Sequence, residues 1–75
     1  MAGNGLDVGL SLAQRVETNV RQFTHGRIRN LVVQEIHGQV VVSGQAPSRH
    51  TKQLALQGAL ELLSSELFAE NITIG

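Results

Sequence analysis

The sequence predicts an α+β fold, a two-layer sandwich of αββαβ order in which two helices cover one face of a three-stranded mixed sheet. Three observations carry this. Two segments place apolar residues at helical spacing, three others alternate them or run β-branched, and 75 residues suffice for one core but not two. The only aromatic residues are Phe23 and Phe68, so that core must be built from Val, Leu, Ile and Ala.

Residues 1–10, glycine-rich at the start and without periodicity, are expected to form a flexible lead-in to a single domain over 11–75. The first helix follows. Leu12, Val16, Val20 and Phe23 recur at spacings of four, four and three, with polar residues on the other faces. Ser11 is placed as its N-cap, and Gly26, after His25, as the left-handed glycine that ends it.

Ile28 to Ile36 reads as a strand, with Leu31, Val33 and Glu35 on one face and Val32, Gln34 and Ile36 on the other. His37-Gly38 is the hairpin turn, and Gln39 to Ser43 returns antiparallel until Gly44 ends it. After the breaker Gln45-Ala46-Pro47, Ser48 caps a second helix expected to run to about Ser64. Its stripe is Leu56, Ala59, Leu60, Leu63 and Leu67, flanked by Ala55 and Leu62, with Leu54 opposite. Ile72 and Ile74 then alternate with Asn71 and Thr73 in a short final strand. On this pattern Leu31, Val33, Val40, Val42, Ile72 and Ile74 face the helices, while Val32, Ile36 and Val41 form a small apolar patch on an open face.

Formal net charge is zero, but the charges are segregated along the chain. From Thr18 to Lys52, Arg21, Arg27, Arg29, Arg49 and Lys52 stand against the single acid Glu35. Beyond Lys52 come only Glu61, Glu66 and Glu70. Folding could convert this order into a positive and a negative end. Arg27, Arg29, Arg49, His50 and Lys52 are the candidate anion- or lipid-binding set, because Arg49, His50 and Lys52 crowd a helix start whose free N–H groups themselves attract anions. Val32, Ile36 and Val41 are the candidate interaction face.

Other chemistry has weaker support. The absence of cysteine removes disulfides and thiolate zinc sites. His25, His37 and His50 lack the local spacing of a metal site, so neither metal nor cofactor is expected. No catalytic residue is assigned, since no G-x-S-x-G context or carboxylate pair occurs. A nucleic-acid role is not expected without net positive charge, a stacking platform or a G-x-x-G loop. The start of the chain has neither the basic and apolar regions of a signal peptide nor a membrane span, and the compartment stays open.

The element order and the string His37-Gly38-Gln39-Val40-Val41-Val42-Ser43-Gly44-Gln45-Ala46-Pro47-Ser48 resemble the BON family of bacterial osmotic-stress and nodulation-associated domains. Gly38, Val40, Val42, Ser43, Gly44, Ala55 and Ala59 match its hairpin and its helix with spaced alanines, and Asn71, Ile72 and Ile74 its last strand. The likeness spans about Val16 to Ile74. It departs at Ser65, Glu66 and Leu67, where the family has a Gly-Val turn, and at His37, where an Asp is common. The resemblance implies a non-enzymatic domain that binds an anionic phospholipid surface or an envelope protein. The alternative from the residues themselves is a protein-interaction or self-association domain that works through the open face and forms a homo-oligomer.

Overall fold

The computed structural model describes residues 11–75; the expected lead-in, residues 1–10, lies outside the described residues. The order of elements is α1 (Leu12–Thr24), β1 (Arg29–Ile36), β2 (Gln39–Ala46), α2 (Arg49–Leu60), a 3₁₀ turn (Ser65–Leu67) and β3 (Phe68–Ile74). The strands form one sheet in the order β1-β2-β3, antiparallel between β1 and β2 and parallel between β2 and β3. This is the predicted α+β architecture.

The start of α1 is fixed by a reciprocal capping box. The Ser11 hydroxyl accepts from the Gln14 N–H at 3.1 Å, and the Gln14 side chain accepts from the Ser11 N–H at 3.0 Å. At the other end the backbone turns left-handed at His25 and stays so at Gly26, whose N–H bonds the Arg21 carbonyl. Val16 and Val20 are fully buried, Phe23 is half-buried and Leu12 is exposed. Thr24 is also buried, with its hydroxyl bonded to the Val20 carbonyl at 2.8 Å.

In the hairpin, Ile36 pairs with Gln39 across His37 and Gly38, both at positive φ, which is a two-residue type I′ turn. At the opposite end β1 carries a bulge. Arg29 pairs with Gln45 and Val32 with Ser43, so Asn30 and Leu31 together stand opposite Gly44. The extra residue reverses the alternation, and this lets Ile28 enter the core together with the odd-numbered Leu31 and Val33.

That bulge corrects one expectation. Gly44 does not end β2 but lies inside it, and the strand continues to Ala46, where Pro47 stops it. A Cβ at Gly44 would lie 2.6 Å from Ile28 Cγ2 and 3.1 Å from the Arg29 carbonyl oxygen. The glycine is there to admit the bulged strand.

A second correction concerns α2, which ends at Leu60 rather than near Ser64. The N–H groups of Leu62 and Leu63 both bond the Ala59 carbonyl, making a tight turn that swings Leu63 into the core. The buried stripe is therefore Thr51, Ala55, Gly58 and Ala59, with Leu56 half-buried, while Leu60, Leu62 and Leu67 are exposed. Leu54, expected on the far side, is half-buried. The helix approaches α1 through its small residues, so long side chains at Leu60 and Leu62 have no groove to enter.

Val40, Val42, Ala46, Ile72, Ala55, Ala59, Val16 and Val20 make the centre of the core, with Leu31, Val33, Leu56 and Phe68 around it. Ile74 pairs with buried Ala46 and shares its face, but at 47% exposure it lies beyond the cover of the helices, contrary to expectation. On the open face Val32 and Ile36 are 46% and 43% exposed, whereas Val41, on the central strand, is half-buried between its neighbours.

Candidate functional site

The topology decides which charges meet. β2 ends at Ala46, α2 starts at Arg49, and β3 begins with Phe68 beside Val40, so α2 runs back along the sheet, opposite to β2. α1 ends where β1 begins, at the same end of the sheet as the start of α2. Four of the five proposed anion-binding residues are consequently gathered at one end: Arg27 and Arg29 on the lead-in and start of β1, Arg49 and His50 on the first turn of α2. Arg27 and Arg29, with Gln45, Pro47 and Gly75, line an open depression of about 120 Å³. Arg49 begins the helix two residues after Pro47.

Lys52 does not join them. Its ammonium lies 3.6 Å from a Glu70 carboxylate oxygen, and both side chains are partly covered. The other oxygen of Glu70 accepts from the Ile72 N–H at 2.9 Å. In the parallel ladder β3 turns the N–H groups of its odd-numbered residues toward β2, as the bond from the Gly75 N–H to the Ala46 carbonyl shows, so the Ile72 N–H points to the free edge. Glu70 thus ties Lys52 to β3 and blocks part of that edge. The sequence places Lys52 with Arg49 and His50 by proximity along the helix; the pairing with Glu70 depends on strand order, which the sequence does not disclose.

Arg21 is likewise neutralised, through bonds to Glu17 at 2.7 and 3.2 Å within α1. Among the described residues Arg27, Arg29 and Arg49 have no acidic partner. Glu35, Glu61 and Glu66 collect at the other end, beside the hairpin and the end of α2. The sequence segregation of charge survives folding as a separation in space.

The start of α2 is itself unusual. Ser48 caps it by accepting from the Thr51 N–H at 3.2 Å, and the two hydroxyls lie 3.1 Å apart. Its first turn holds no acid, only Arg49, His50 and Lys52. Cations at a helix N-terminus oppose the helix dipole by roughly 0.3 to 1 kcal/mol each at exposed positions, so this end is arranged against helix stability.

Val32, Ile36 and Val41 do share the open face, as expected. The residues around them on that face are Gln34, Gln39, Ser43 and Gln45, with Ala69, Asn71 and Thr73 from β3. Arg29, at the basic end, contributes the one charge of this face among the described residues.

His37 sits at the hairpin, at the opposite end from His25 and His50, so the three histidines do not converge, and no group of three metal-ligating side chains occurs among the described residues. No described helix is long and apolar enough to cross a membrane. Comparison of the chain with protein-family models, with curated proteins and with solved structures returned no match.

Proposed function

We propose that this domain is a non-enzymatic binding module that engages an anionic surface, such as that of phospholipid headgroups, through its basic end. The observation that carries the reading is that Arg27 and Arg29 line one open depression at the end of the sheet where Arg49 starts α2, all three without acidic partners among the described residues. The free N–H groups at the start of α2 add to the positive potential there. The lining of the depression offers guanidinium and amide groups to an anion and no nucleophile or general acid. The resemblance to BON domains implies the same αββαβ order and the same class of ligand, and in that sense supports the proposal.

Each arginine near an anionic membrane contributes about 1 kcal/mol, so the three supply about 3 kcal/mol, less than the roughly 4 kcal/mol of a millimolar complex. Binding by the isolated domain is therefore weak and salt-sensitive. Co-sedimentation with vesicles tests this. Vesicles containing anionic phospholipid retain the domain at low salt, purely zwitterionic vesicles do not, and retention falls as salt screens the charges. The double variant Arg27→Gln/Arg29→Gln loses about 30-fold in partitioning, the equivalent of about 2 kcal/mol. Lys52→Gln changes it less than about twofold, because that charge is already offset by Glu70. Equal retention on both vesicle types, or equal effects of Lys52→Gln and the arginine pair, contradicts the proposal.

The uncharged open face favours a second reading, a protein-interaction or self-association domain working through Val32, Ile36 and Val41. Solvated sheet faces are ordinarily polar, and on this one Val32, Ile36 and Val41 lie together among polar but uncharged residues. Here ten positions on the face carry none, Arg29 standing apart at its end.

A further inference from the structure

Building on the anionic-surface reading above, on which this rests, we propose that the depression lined by Arg27 and Arg29 holds a single phosphate monoester group. The two guanidiniums and the side-chain amide of Gln45 bind it as a dianion.

Three donors meet there. Ile28, between the two arginines, is buried, so Arg27 and Arg29 turn outward together and both line the depression. Gln45 is the register partner of Arg29 and shares its face of the sheet. Its amide nitrogen lies 3.0 Å from where a Cβ on Gly75 would stand, so a glycine at that position leaves the nitrogen uncovered. Among the described residues none of the three side chains has a hydrogen-bond or ion-pair partner, and the Gln45 amide, although its residue is half-buried, is open to solvent.

Charge and donor count select the ligand. A phosphate monoester carries about 1.5 to 2 negative charges at pH 7 and three terminal oxygens that accept hydrogen bonds. Two guanidiniums match the charge, and three donor side chains match the oxygens. A phosphodiester or a carboxylate has one charge and two such oxygens, and either leaves an arginine uncompensated. No acid lines the depression to repel a dianion. At about 120 Å³ it is smaller than the roughly 150 Å³ cavity that takes up one benzene ring. The phosphate enters, and whatever it is esterified to stays outside. A lipid headgroup and a free phosphate ester therefore present the same chemistry to this site.

Amide NMR titrations at about pH 7.5 and constant ionic strength, with methyl phosphate and with dimethyl phosphate, test the site. Methyl phosphate shifts Arg27, Arg29 and Gln45 and half-saturates at a concentration about tenfold below dimethyl phosphate. Arg27→Gln and Arg29→Gln each weaken it about tenfold, whereas Arg49→Gln, at the same end but outside the depression, changes it less than about threefold. Gln45→Leu removes no charge and still lowers the preference for the monoester. An amide spectrum unchanged away from the depression shows each variant folded. Equal affinity for the two esters, or equal losses in Arg27→Gln and Arg49→Gln, overturns the site and leaves a diffuse positive end that anionic vesicles still retain. Vesicles of matched surface charge then separate the sources. Better retention on phosphatidate than on phosphatidylglycerol, relieved by methyl phosphate, supports the site and assigns a lipid headgroup. Binding of methyl phosphate without a vesicle preference supports it and assigns a free ester. A domain that binds neither ester and no anionic vesicle overturns this site and the anionic-surface reading together.

Discussion

Replacing Gly44 by alanine puts a methyl carbon where Ile28 Cγ2 already lies, at 2.6 Å, with the Arg29 carbonyl oxygen at 3.1 Å. Ile28 is buried and the carbonyl is held by the sheet, so neither yields without moving the bulge. Gly44→Ala is predicted to cost about 1 to 3 kcal/mol, as an overpacked site does, measurable as a lower urea midpoint at unchanged m-value. The same residue bears on function. By allowing the bulge, Gly44 lets Ile28 point inward while Arg29 turns to the open face, beside the depression it shares with Arg27. In the sequence this glycine follows Val40-Val41-Val42-Ser43 and has the form of a strand terminator. Its partner, the extra residue near Asn30, has no sequence signature, because Asn30 and Leu31 continue a plausible alternation. A bulge is a relation between two strands, and one strand does not reveal it. Ser11 and Gly26 were legible for the converse reason, as caps are satisfied by residues within a single turn.

At the scale of elements, the crossing of α1 and α2 depends on Gly58. Its carbonyl accepts from the Asn19 side-chain amide at 2.7 Å, and a Cβ on it would lie 3.1 Å from both Phe23 Cγ and the Asn19 carbonyl oxygen. Alanine in a helix interior normally gains about 0.8 to 1 kcal/mol over glycine. Here the facing backbone of α1 cannot retreat without losing the Asn19 bond, and overpacking of about 1 to 3 kcal/mol outweighs that gain. Gly58→Ala is therefore predicted to destabilise by about 1 kcal/mol, read by thermal or chemical denaturation; a more stable variant would show that the helices can separate freely. The extent of α2 is not legible in the sequence for a related reason. Leu56, Leu60, Leu63 and Leu67 keep a helical spacing and no breaker intervenes after Gly58, so local propensity continues the helix. The chain must nevertheless return to start β3 beside Val40, and the tight turn at Ala59–Leu63 does this while burying Leu63. Tertiary closure overrides a periodic pattern at its end more readily than at its centre.

For the whole molecule, a formal charge of zero conceals a separation of sign along the sheet direction. Ion pairs engage Lys52 and Arg21, and Arg27, Arg29 and Arg49 lie at the end opposite to Glu35, Glu61 and Glu66. The uneven distribution along the chain was legible, and so was the proximity of Arg27 and Arg29 to Arg49 and His50, since a hairpin followed by a helix brings the start of the first strand near the start of that helix. The loss of Lys52 to Glu70 was not, because residues 18 apart meet only once β3 is placed alongside β2. The most direct test of the central claim is a backbone amide NMR titration with a soluble anionic phospholipid. Shifts confined to Arg27–Arg29, Gln45 and Arg49–His50, diminishing as salt is raised, are the predicted result. Shifts centred on the hairpin or on Glu61–Leu67, or a response indifferent to salt, would contradict it.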